Sequence, residues 1–140
     1  MALAATPAGA CSDDATQEFV DAADDLCSKA DEEIAEIELG RGKKRLDDYV
    51  AAAERVADDL VSDLREQEPP EAHADRVDEF VERLERAAAL LEPAVRAAIR
   101  DDTAALDDLQ QEAEQVTDEI AGIAKSFGFE TCGAKVLGAR

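Results

Sequence analysis

Apolar residues recur in steps of three and four through four successive stretches of this chain, the spacing of α-helices that each bury one face. The first stripe is Phe19, Ala23, Leu26, Ala30, Ile34 and Ile37. Ser12 before Asp13 and Asp14 supplies an N-cap hydroxyl and carboxylates beside the positive end of the helix dipole, which predicts a helix over 12–39. Gly40-Arg41-Gly42 ends it, two glycines freeing the chain to reverse. The second stripe, Leu46, Val50, Ala53, Ala57, Leu60 and Leu64, alternates four and three without a slip, and Tyr49, Val56 and Val61 widen it to a bundle face. It predicts a helix over 43–67, closed by Pro69-Pro70, where the same dipeptide suits the first turn of the next helix.

The third stripe carries His73, Val77, Phe80, Leu84, Ala87, Leu91, Val95 and Ala98 and predicts a helix over 70–100. Pro93 falls inside it. A proline there removes the bond to the carbonyl of Ala89 and clashes with it, at about 3 kcal/mol, so a kink is expected between Ala89 and Pro93. A tight turn over 99–103, with Asp101 or Asp102 as cap, leads to a fourth helix over 103–127 with Leu106, Leu109, Ala113, Val116, Ile120, Ala124 and Phe127, stopped by Gly128. Strand patterns are absent. Four long helices with short connections pack antiparallel, so the expected architecture is an all-α, single-domain, up-down four-helix bundle over 12–133, its third helix kinked, with a tail at 134–140. Asp13-Asp14 and Asp24-Asp25 lie eleven residues apart, as do Asp47-Asp48 and Asp58-Asp59, a repeat near three helical turns that stacks each set on one outer face.

Composition agrees with a bundle: 46% of the residues are hydrophobic but only 4% aromatic, with no Trp, so the core is built from Ala, Leu, Val and Ile. Charge narrows the partners. Thirty-five acidic against fifteen basic residues give a formal net charge of −20, a field that repels phosphate backbones and anionic headgroups alike. Nucleic acid is excluded as a partner. The acid itself reads as solvated surface rather than a specific cation site, and a monomer is expected.

Three cysteines invite arithmetic. Cys27 early in the first helix and Cys132 just beyond the fourth form one candidate pair: in an up-down bundle these ends lie side by side, and five extended residues at about 3.3 Å each reach back up the groove. Closing that loop of about a hundred residues contributes about 4–5 kcal/mol in the chain-entropy account. Two free buried cysteines, or a bridge from Cys11 to either, are the alternatives. Cys11 follows Leu3-Ala4-Ala5-Thr6-Pro7-Ala8-Gly9-Ala10, small and apolar residues similar to the end of a bacterial lipoprotein signal, with Ala8-Gly9-Ala10-Cys11 at the cleavage box. Ten residues are too few for a whole signal, so residues 1–11 read as a truncated signal whose start lies upstream and whose Cys11 is the lipidation site, or else as a cytosolic tail. A lipid on Cys11 is the only membrane attachment expected, since no apolar run reaches spanning length.

A resemblance emerges from three places. Asp25-Leu26-Cys27-Ser28-Lys29-Ala30-Asp31, Pro69-Pro70, and Phe127-Gly128-Phe129-Glu130-Thr131-Cys132-Gly133 resemble a family of actinobacterial extracytoplasmic proteins with alanine-rich helical bodies, an early-helix A-x-x-x-C-x-x-A and a terminal G-x-x-x-C-G. The likeness spans roughly residues 16–133 and rests on short, mostly structural motifs. It implies export and a disulfide, and no assigned activity.

Residues that carry chemistry are few. His73 is the single histidine, and the chain lacks the Glu-x-x-His elements of di-iron bundles and the Cys-x-x-Cys-His of haem attachment. His73 reads as a half-exposed residue at a helix end. Ser12, Ser28, Ser62 and Ser126 have no base in predictable reach, so no enzyme activity, cofactor or metal is expected. Arg41, Lys43, Lys44 and Arg45 form the one basic cluster, at a helix N-terminus where the dipole disfavours cations, which makes them candidate partner-binding residues. Two functions remain: an exported, lipid-anchored interaction module that shows this basic tip to an envelope protein, or a carrier of a small ligand or cation, its pocket opened by the Pro93 kink and small core alanines.

Overall fold

A computed structural model describes residues 10–37 and 43–133, and for residues 10–13 and 43–44 it describes the backbone course alone. Residues 1–9, 38–42, where the sequence places the Gly40-Arg41-Gly42 reversal, and 134–140 lie outside the described residues, as do the side chains of Cys11, Lys43 and Lys44. The described chain is all helix and turn. Five helices run in order: α1 Ala10–Glu36, α2 Lys43–Glu66, α3 Ala74–Ala89, α4 Leu91–Ile99 and α5 Thr103–Phe127, with a single 3-10 turn at Glu71–His73. α3 and α4 together form the third arm, so the architecture is the expected four-helix bundle.

Three boundaries differ from the sequence expectation. α1 already includes Ala10, so Ser12 lies within the helix rather than at its cap. The third arm does not start on the prolines. Pro70 is extended (φ −53°, ψ 136°), and a 3-10 turn intervenes before α3, because Pro70 holds Pro69 out of helical geometry and the chain re-enters it only beyond. The Pro93 kink is a full break. Leu90 ends α3 with a 3-10-type bond to Ala87 (3.2 Å) and caps α4, which places Pro93 in a first turn, where no N–H is required. The expected clash is thereby avoided, but the heptad shifts: Ala97 is buried, whereas Ala98 of the extrapolated stripe is exposed.

Capping explains the last two connections. At the end of α4, the Asp102 N–H donates to Ala97 O (3.0 Å) and the Asp101 N–H to Ala98 O (3.2 Å), a Schellman closure that needs a left-handed residue. Asp101 takes that role at φ 54°, and Asp102 then caps α5 by accepting the Ala105 N–H at 3.1 Å. Gly128 (φ 82°) ends α5 as expected.

α1 packs along α2, α2 along α3, and α3 and α4 along α5, while α1 and α5 share no extended contact among the described residues. The gap between them is filled at one end by residues 128–133, a hook that returns toward α1. Cys27 and Cys132 stand at disulfide distance there, with Cα atoms 5.2 Å apart. The carboxylate of Asp24 accepts three successive hook N–H groups, from Glu130 (2.9 Å), Thr131 (3.0 Å) and Cys132 (2.9 Å). Asp24 therefore departs from the solvated face expected for the paired aspartates; Asp25, Asp47, Asp48, Asp58 and Asp59 are exposed. Gly133 (φ 83°) closes the hook against α5, where a Cβ would stand 2.7 Å from the Ala124 Cβ.

Candidate functional site

The two ends of the bundle are packed differently. At the hook end, Phe19, Phe80, Phe127 and Phe129 form one aromatic cluster, Phe127 and Phe129 stacked at 5.1 Å and Phe80 5.3 Å from Phe129. Around them lie the bridge and the fully buried Leu64, Val81, Val116 and Ile120. All four phenylalanines of the chain are spent at this end. His73 is half-buried at the end of the 3-10 turn, close to the helix-end position expected of it, and packs edge-on to Phe127 at 5.7 Å, a contact the sequence did not suggest.

At the opposite end the same stripes continue with smaller side chains. α2 presents Ala53 and Ala57, the third arm Ala87, Ala88 and Ala94, and α5 Ala113. Helix axes pack roughly 8–10 Å apart depending on the side chains at the contact, and where the larger residues of neighbouring layers hold that spacing, a layer of alanines leaves space that Leu or Phe would fill. The result is a cleft of about 570 Å³, within the roughly 300–1,000 Å³ of small-molecule sites. Tyr49 and Ile34 wall it on one side and Leu106 and Leu109 on the other, the leucines only half-buried because the cleft opens to solvent. Leu90 and Leu91 line it at the helix break, so the interruption forced by Pro93 shapes the cavity wall.

The polar lining is sparse: Glu54, Gln110 and Thr117, with the Tyr49 ring. Gln110 is engaged along its own helix, donating to Glu114 at 3.0 Å. Among the described residues neither Lys nor Arg lines the cleft.

A polar ladder closes the seam between α3 and α5. Arg76 donates to Ser126 Oγ (2.9 Å), Arg83 pairs with Glu119, and Arg86 pairs with Glu112 (3.1 Å), positions falling on α5 as they rise on α3, as antiparallel helices require. The hydrogen bond from Gln115, and then Arg83 beside it, hold the Glu119 carboxyl below its ordinary range against partial desolvation. Sequence reading missed this ladder; three arginines on one face of the third stripe, opposite glutamates of the fourth, were the available signal.

Of the candidate partner-binding residues, Arg45 is exposed in the first turn of α2, while Arg41 and the side chains of Lys43 and Lys44 lie outside the described residues. Among the described residues no group of His, Cys, Asp or Glu converges to hold a metal ion, and no helix is long and apolar enough to cross a membrane. No protein-family model, curated protein or solved structure matches the chain.

Proposed function

We propose that the protein is an exported, non-catalytic helical bundle that carries a small, largely apolar ligand in the alanine-lined cleft. The cleft is the observation that carries this reading: a solvent-open, apolar, alanine-lined cavity of ligand size at the end of the bundle away from the aromatic cluster. Export is supported by the bridge between Cys27 and Cys132, since such bonds persist in oxidising compartments, and tethering through Cys11 extends the same proposal. Display of the Arg41, Lys43, Lys44 and Arg45 tip to an envelope partner remains a second reading, favoured by the unfavourable dipole at that helix start.

Fluorescence of N-phenyl-1-naphthylamine, an uncharged apolar probe, tests the carrier reading. Saturable 1:1 binding is expected, and Ala113→Leu or Ala94→Leu, each filling the cleft from a different helix, should abolish it while circular dichroism stays unchanged. Equal binding by both filled variants would sink the proposal.

A further inference from the structure

We infer that the ligand of the cleft is a cationic amphiphile, an apolar body carrying an ammonium or amidinium head, an assignment that rests on the carrier reading and names the chemistry of that same site. The apolar body follows from the alanine and leucine walls. The head follows from charge. Among the described residues, Glu54 is the one acidic residue lining the cleft, and none of those that line it is basic. It is half-buried on α2 and makes no ion pair among the described residues, whereas glutamates on the α3–α5 seam, Glu112 and Glu119, are each matched by an arginine.

Position gives Glu54 the geometry of a head-group contact. A smaller notch of about 190 Å³ between α2 and α3 shares Glu54, Ala57 and Ala88 with the cleft, so Glu54 stands where the two spaces meet. An elongated molecule seated along the alanines brings its terminus to this carboxylate. An anionic amphiphile such as a fatty acid would have to desolvate its carboxylate beside Glu54, with no cation among the described lining residues to meet it. The net charge of −20 acts in the same sense at longer range, drawing cations to the protein and repelling anions.

The discriminating experiment displaces N-phenyl-1-naphthylamine from the full chain with amphiphiles of one tail length: dodecyltrimethylammonium, dodecanol and dodecanoate, each below its micelle-forming concentration. Working in about 1 M NaCl, where the Debye length is about 3 Å, removes the general field and leaves the local contact. The ammonium should displace the probe at about five- to tenfold lower concentration than the carboxylate, with the alcohol between them. Glu54→Gln should bring ammonium and carboxylate to within about twofold of each other, while Glu71→Gln, on the exposed 3-10 turn, should leave the preference intact. Displacement by dodecanoate equal to or better than that by the ammonium, or an undiminished preference in Glu54→Gln, overturns the charge assignment and leaves the cleft standing. Failure of the uncharged probe to bind at all removes the carrier reading itself, so the two failures are told apart.

Discussion

The backbone N–H of Cys132 points at the carboxylate of Asp24, 2.9 Å away, and the N–H groups of Thr131 and Glu130 converge on the same side chain. Three successive amides aimed at one anion form a concave nest, so the chain beyond α5 is held by charge-assisted hydrogen bonds as well as by the sulfur bridge. Asp24 acts as an anchor across more than a hundred residues of sequence. Asp24→Ala should therefore destabilise the fold by about 1–3 kcal/mol in urea unfolding, because the amides lose a charged acceptor. Amide exchange should quicken at Glu130, Thr131 and Cys132. Asp25→Ala, at the exposed neighbour, serves as the control and should change stability by less than about 0.5 kcal/mol.

Two glycines of the last thirty residues should respond to the same substitution with opposite sign. Gly122 is exposed within α5 and a Cβ there meets nothing within 4 Å, so Gly122→Ala should stabilise by about 0.5–1 kcal/mol through helix propensity. Gly133 sits at φ 83°, and its Cβ would stand 2.7 Å from the Ala124 Cβ on a packed helix face. Gly133→Ala should cost about 1–2 kcal/mol from backbone strain and more from the clash. Thermal melts of the two variants check both signs, and a Gly133→Ala protein as stable as the parent would show that the hook is not seated against α5.

Glu119 supplies a pH dependence of defined direction. Its folded pKa lies below the ordinary 4.5, held down by the Gln115 hydrogen bond and by Arg83. The stabilisation it brings is complete above that ordinary value and is lost as pH falls through the depressed folded value. The melting-temperature gap between the wild type and Glu119→Gln should thus be constant above about pH 5.5 and close on further acidification. Taking the difference matters: the many other carboxylates of a −20 chain repel one another, and their neutralisation shifts both proteins alike. A gap that widens toward acid pH contradicts the pairing.

How much of this was legible beforehand differs residue by residue. α5 runs Thr103–Phe127 as its stripe and Gly128 foretold, because local cap and period signals both act there. The Cys27–Cys132 pairing was the expected one, ahead of free cysteines or a bridge from Cys11, and the hook that permits it is the short return expected for residues 128–132. After Pro93 the stripe misled. A heptad extrapolated through a helix break keeps counting while the real helix restarts, which is why Ala97 and not Ala98 is buried. Asp24 was invisible as an anchor, since a repeat of aspartates reports spacing along one helix and cannot report an acceptor needed by a segment a hundred residues away. The cleft was legible as a surplus of core alanines beside a kink; its confinement to one end follows from where the four phenylalanines fall, a distribution plain only once the helices are aligned.

That uneven distribution makes the bridge and the cleft separable. The hook, its sulfurs and the aromatic cluster occupy the level of Phe19 to Cys27 on α1 and Val116 to Phe127 on α5, whereas the cleft spans Ile34 on α1 and Leu106 to Thr117 on α5. The bridge links residues separated by 105 positions, so its removal relaxes nearly the whole unfolded chain and should lower stability by about 4–5 kcal/mol in the chain-entropy account. Neither cysteine lines the cleft. The double variant Cys27→Ser, Cys132→Ser should unfold at markedly lower urea concentration, yet bind N-phenyl-1-naphthylamine with unchanged affinity wherever it remains folded. Measuring both on one sample decides the matter: loss of binding at urea concentrations where helicity persists would mean that the stapled end sets the spacing of the helices at the hollow one.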